Sequence, residues 1–316
     1  MSAKRLIKIF QTDDRESLEA FLQETDDVEL TLERVPEKYS LLLDSPPILS
    51  VAAFFGATNC FHLLALSGAD LEHTDNKNRY PVHFAVMNGK SDIFNILDSF
   101  SIDFTVVDSN KVGCLHYASQ FGCFDVVQQL WQRNFSIDLK DSFGLTPVHY
   151  SAFSKESTII EFYKSKGAKL NENSHYGTPF CIAVKFNSIE VVKYLIDQNI
   201  NPNQFINEDE TALMYSIRNN YEEIAQYIIK SSKDIDQKNG DGWTALHQAA
   251  SRGQINMCQF LIENDADINA TTFFGATPLL LAKNGNYDEL TKYLEKNGAS
   301  LRVNNKRFFE FSGIDV

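Results

Sequence analysis

The chain has 316 residues, 43% hydrophobic and 22% charged, enough apolar material to bury a sizeable core along nearly its whole length. A formal net charge of −13 opposes binding to a phosphate backbone, so nucleic acid is not expected as a partner. No window approaches the roughly 18 apolar residues of a membrane span. The five cysteines (Cys60, Cys114, Cys123, Cys181, Cys258) never form a CxxC pair, which points away from a disulfide framework or zinc site.

In chain order, the first elements are two short amphipathic helices within "KRLIKIFQTDDRESLEAFLQET". Leu6, Ile9 and Phe10 line one, and Leu18, Phe21 and Leu22 the other. Residues 1–25 are read as a degenerate capping hairpin, and residues 26–44 as an enlarged acidic loop. That loop either packs on the helices after it or carries function, and packing is the reading favoured.

From residue 45 a period emerges, in "PILSVAAFFG", "YPVHFAVMNG", "GCLHYASQFG", "TPVHYSAFSK", "TPFCIAVKFN", "TALMYSIRNN", "TALHQAASRG" and "TPLLLAKNGN". Their second residues fall at 48, 81, 114, 147, 179, 212, 245 and 278, in steps of 33 with a single step of 32. Four positions on stands a small residue: Ala52, Ala85, Ala118, Ser151, Ala183, Ser216, Ala249 or Ala282. A second apolar helical pattern follows each segment, as Ile189, Val192, Leu195 and Ile196 illustrate. Each unit is therefore a short helix, a tight turn, a longer helix and a projecting loop. Thr146 and Thr244 suit the N-cap, Pro147, Pro179 and Pro278 the first helical position, and Gly144, Gly242 and Gly275 the turn.

The period and a "TPLHxAA"-like signature make residues 45–304 resemble the ankyrin repeat family, with "GLTPVHYSA" and "GWTALHQAA" as the fullest copies. Tyr80 and Gly113 depart from its threonine, Cys114 from its proline, and Cys181, Met214 and Leu280 from its histidine. The resemblance implies an all-α solenoid of eight stacked helix-turn-helix repeats with projecting β-turn or hairpin loops. It also implies structural roles for the signature residues His83, His116, His149, His247, Thr146, Pro147, Thr178, Pro179, Thr244 and Pro278. The four histidines recur in a row, one per repeat, so they do not converge on a catalytic point. His62, His73 and His175 read as exposed polar residues, and no histidine has a partner at metal-ligand spacing.

The family's ligands usually contact the loop tips and the exposed side of the first helices. Carried over, this gives Trp243, Phe121, Phe153, Phe186, Arg218, Arg252, Phe143, Tyr176, Met87 and Arg79 as partner-binding candidates. The aromatics of the earlier repeats and the arginines of the later ones suggest an apolar half and a partly basic half. The expected role is a non-catalytic, intracellular and cytoplasmic scaffold, monomeric, without cofactor or metal, that binds a protein segment. The alternative is a targeting subunit or inhibitor of a separate enzyme. "LIENDADIN" resembles segments modified by asparaginyl hydroxylases at Asn269, but a plain loop-bonding role for that side chain is preferred. "KRFFEF" at 306–311 is read as a cap or tail.

Overall fold

The computed structural model describes residues 3–25, 27–89 and 91–301; the 305–316 segment lies outside them. The chain divides into two compact units, Met1–Pro179 and Phe180–Val316. Both are built from helix pairs.

In the first unit the pairs are Ala3–Thr12 with Arg15–Thr25, Ile48–Phe55 with Thr58–Leu66, Pro81–Asn88 with Ser91–Ser99, Cys114–Gln120 with Phe124–Gln132, and Pro147–Ser151 with Thr158–Ser165. First helices pack on first helices and second on second. The second unit repeats the scheme with Ala212–Arg218 and Glu222–Ser231, Ala245–Ala250 and Ile255–Glu263, and Pro278–Asn284 and Asp288–Lys296, preceded by Ile189–Asp197. Proline opens helices at Pro81, Pro147 and Pro278, where the missing N–H costs nothing.

Two periodic rows build the core. The small residues Ala52, Ala85, Ala118 and Ser151 of one unit, and Ala183, Ser216, Ala249 and Ala282 of the other, are fully buried and let first helices approach closely. The second helices bury Leu64, Leu97, Leu130 and Tyr163, then Leu195, Ile228, Leu261 and Leu294, on the same period. Each such side chain stabilises the fold by roughly 1.5–3 kcal/mol. Tyr163 carries a hydroxyl into this row, and Ser119 Oγ satisfies it at 2.6 Å.

Loops between pairs are mostly tight turns. One is a two-stranded hairpin, Phe205–Asn207 with Glu210–Thr211; elsewhere isolated bridges such as Val107 with Gly113 suffice. Residues 27–47 fold back onto the first unit. Leu32 N donates to Pro46 O and Ile48 N to Leu30 O, both at 2.8 Å. Glu29 accepts from Asp70 N at 2.6 Å and contacts His73 Nδ1 at 2.7 Å. His73 is thus a half-buried bonded residue, not the exposed polar one the sequence suggested.

Candidate functional site

Each projecting turn is organised by one side-chain oxygen. Asp75 Oδ1 accepts from Lys77 N and Arg79 N at 2.9 and 2.8 Å. Asp108 does the same for Asn110 and Val112 at 2.8 and 2.9 Å, and Asp141 for Phe143 and Leu145 at 2.8 Å each. In the second unit Asn239 Oδ1 serves Asp241 N and Trp243 N at 3.1 and 2.8 Å. The second carboxylate oxygens bind Tyr117 OH at 2.7 Å and Tyr150 OH at 2.9 Å. Turns also clasp their neighbours: Ser142 N donates to Asn110 O, His175 N to Phe143 O, and Phe273 N to Asp241 O. The tips are therefore held by backbone bonds before any partner arrives.

The signature histidines lie just beneath. Nδ1 of His83, His116, His149 and His247 accepts the N–H of Tyr80, Gly113, Thr146 and Thr244 at 3.1, 3.2, 3.1 and 3.1 Å. Their Nε2–H groups donate to the carbonyls of Val106, Leu139, Glu172 and Ala276 at 3.1, 3.0, 2.9 and 3.0 Å. This bonding selects the neutral Nε2–H tautomer. Burial lowers all four from 6.5, to about 4 for His83 and His247, against the opposing pull of the accepting carbonyls. Both ring nitrogens are spent on backbone, so these rings brace the turns. Burial likewise pushes the thiols of Cys60, Cys114, Cys123 and Cys258 up to about 12, far from the thiolate form. Among the described residues no group of three His, Cys, Asp or Glu side chains could hold a metal.

Some of the turns present aromatic rings to solvent, while others expose polar residues such as Lys77, Asn110 and Asp209. In the first unit Phe143 is 40% and Tyr176 48% exposed, their rings edge-to-face at 5.6 Å. His175 packs beside both, 6.3 Å from Phe143 and 5.4 Å from Tyr176. In the second unit Phe273 and Phe274 are 63% and 64% exposed at one tip. Gly242 supports that tip from the preceding turn. Its φ is +80°, and a Cβ there would meet Phe273 N at 2.6 Å.

The ten partner-binding candidates divide under this geometry. Phe121, Phe143, Tyr176 and Phe186 are exposed aromatics. Arg252 is exposed and Phe153 half-buried, its ring 5.8 Å from Tyr150. Arg79 must be corrected: it is 3% exposed, giving Nε to Asp75 Oδ2 at 2.7 Å and Nη2 to Leu41 O and Asp44 Oδ2 at 2.8 and 3.1 Å. Met87 must be corrected too. Asn88 donates to Phe54 O at 2.8 Å, holding that helix end against its neighbour, and Met87 is left only 5% exposed. Arg218 is engaged within the chain, Nε and Nη2 on Glu210 at 2.7 and 2.9 Å and its guanidinium 5.0 Å from the Tyr215 ring centre. The later repeat thus offers less free positive charge than the sequence suggested.

Trp243 shares the period position of Arg79, Val112 and Leu145, all buried. Its ring is half-buried and lies 6.1 Å from His247. It is a rim residue beside the tip. Phe273 was missed by sequence reasoning, although a Phe-Phe pair immediately before a turn glycine was the available signal. Asn269 has both amide ends bonded, Nδ2 to Gly298 O at 3.2 Å and Oδ1 from Ser300 N at 2.8 Å.

Comparison with known proteins identifies the same repeats. The family model described as Ankyrin repeats (3 copies) matches residues 49–141, 115–206, 148–239, 204–272 and 231–307. Ankyrin repeat protein nuc-2 of Neurospora crassa is 25% identical over 205 residues, covering 53% of this chain and 19% of that protein. L-asparaginase of Dirofilaria immitis is 26% identical over 137 residues, covering 43% of this chain and 23% of that one. The chain thus spans less than a quarter of the length of these two relatives. Among solved structures, the human ASB11 ankyrin repeat domain superposes with a TM-score of 0.61 at 20% identity, covering 68% of this chain and 98% of that one. A chain from the complex of a predatory endopeptidase from Bdellovibrio bacteriovorus with its immunity protein gives a TM-score of 0.52 at 28% identity, covering 58% and 96%.

Proposed function

The chain belongs to the ankyrin repeat family, and on that premise we propose that it is a non-catalytic scaffold that captures a segment of a partner protein at its turn tips. Ankyrin repeats are in general protein–protein interaction modules. The observation that carries the reading here is the display of Phe143, Tyr176, Phe273 and Phe274 on turns already fixed by backbone bonds. Large rings on a pre-ordered frame bind with little entropy left to lose. The non-catalytic part rests on the four bracing histidines, whose ring nitrogens are occupied, and on thiols held protonated by burial. Five buried free cysteines fit an intracellular setting.

Affinity purification tests this directly, with the intact chain and the paired changes Phe143→Ala/Tyr176→Ala and Phe273→Ala/Phe274→Ala as baits. A partner recovered by the wild type should fall at least tenfold with one of the pairs, since a central anchor is worth about 2 kcal/mol. Equal recovery by all three baits sinks the assignment.

A second reading, that the partner is an enzyme which this chain targets or inhibits, draws support from one comparison. The Bdellovibrio bacteriovorus complex joins an endopeptidase to an immunity protein. That reading is separated from the first by adding the purified chain to the recovered partner and measuring its turnover. Inhibition reversed by the tip changes favours it.

A further inference from the structure

Beside the Asp108–Val112 turn, which contributes Lys111, the first unit holds a cavity of about 550 Å³ between the loops that come after helices Ser91–Ser99 and Phe124–Gln132. Phe104, Leu115, Phe135 and Leu139 form its apolar wall, and Leu139 is exposed at the mouth. The sequence gives a reason for an opening here. The period position of Phe135 holds the buried alanines Ala69 and Ala168 in two other repeats of this unit, and the smaller Ile102 in the one before it. Phe135 puts a half-buried ring there, and the space lies beside it. Its size falls within the range of small-ligand sites, roughly 300–1,000 Å³.

The charge around this cavity runs against that of the chain. Lys111, Arg133 and Lys140 line it and no carboxylate does, in a protein with 42 acidic and 29 basic residues. Lys140 is paired with Glu172 at 2.6 Å and Arg133 with Asp98 at 2.7 Å. Lys111 is exposed and enters no ion pair among the described residues. The Arg133 guanidinium also lies 4.9 Å from the Phe104 ring centre, which fixes a cation at the edge of the apolar wall. With Lys140 and Arg133 already paired, an apolar wall and the exposed Lys111 at its rim suit a ligand with an apolar body and one anionic head. At its back, His116 is committed to Leu139 O and the Cys114 thiol is held protonated, so the site binds without reacting.

We infer that this cavity binds an amphipathic monocarboxylate, its hydrocarbon body against Phe104 and Phe135 and its carboxylate on Lys111. The inference rests on residues other than the aromatic tips at Phe143, Tyr176, Phe273 and Phe274. The test is titration of the intact chain with decanoate and, separately, with decylamine, monitored by amide chemical shifts. Decanoate should shift Lys111, Leu115 and Leu139 in a saturable way, and decylamine should not. Lys111→Gln removes one charge-assisted contact at an exposed position and should weaken decanoate about tenfold. Leu139→Trp fills the mouth from a side chain already in solvent and should abolish binding with an unchanged melting temperature. Absence of saturable shifts with decanoate, equal binding of decylamine, or wild-type affinity in both variants overturns the assignment.

Discussion

Acidification from neutral pH to about pH 4 is expected to strip most of the stability from the first unit, and the buried histidines are the reason. His83, His116 and His149 fold as neutral rings whose Nδ1 atoms accept a backbone N–H. A proton at that atom breaks the bond and leaves a charge in the core. In the unfolded chain the same rings protonate near 6.5, whereas folded His83 resists until about 4. The lowered folded value means that the stabilisation is complete above about pH 6.5 and is lost as the pH falls toward 4. Each ring displaced that far contributes about 3 kcal/mol over the window. His116 and His149 are lowered in the same direction by burial and add to the loss. The second unit carries one such ring, His247, also held to about 4. Its acid loss should be the smaller, and half-buried Asp236, raised by burial, opposes it. Urea unfolding at several pH values between 7 and 4.5 checks this, with His83→Gln and His149→Gln as comparators. A wild-type slope indistinguishable from those of the variants contradicts it.

The second large effect is expected at Arg79. Replacing it by leucine leaves the fully buried Asp75 carboxylate and the nearby Asp44 without their shared cation. Removing one partner of a buried pair typically costs about 3–5 kcal/mol, because the survivor stays buried and charged. Two backbone amides still serve Asp75 Oδ1, which places Arg79→Leu near the lower end, about 3 kcal/mol. The double change Arg79→Leu/Asp75→Asn removes the stranded charge and keeps an acceptor for the turn. It should be less destabilised than the single change. Arg79 also donates to Leu41 O, so the single variant should expose residues 27–47 to limited proteolysis. Equal urea midpoints for wild type and Arg79→Leu contradict the pairing.

Much of this was legible in the sequence, because a period of 33 is a statement about packing. The small-residue row from Ala52 to Ala282 lands on fully buried positions, and the four signature histidines sit in one register. The limits lay where a residue's type and its register position disagree. Arg79 reads as a surface arginine, yet its position is one the period buries, as Val112 and Leu145 show. Only the coincidence of Asp75 four residues before it and Asp44 in an earlier loop makes that burial possible. Trp243 occupies the same position and is only half-buried. Met87 was misplaced because helix-end exposure depends on how the ends are tied, here by Asn88 to Phe54 O. Glu29 and His73 meet across 44 residues, which no local pattern encodes. The turn carboxylates Asp75, Asp108 and Asp141 are readable at their spacing of 33, but by residue type alone they pass for plain turn acids.

The claim that partner capture runs through the aromatic tips is tested most directly by photo-crosslinking. A photoreactive phenylalanine analogue would replace Phe143, Tyr176 or Phe274 in turn, with exposed His62 on a second helix as the control. Crosslinks to one partner protein from tip positions, and none from position 62, are the expected result. Crosslinking from position 62 with silent tips would contradict the central claim.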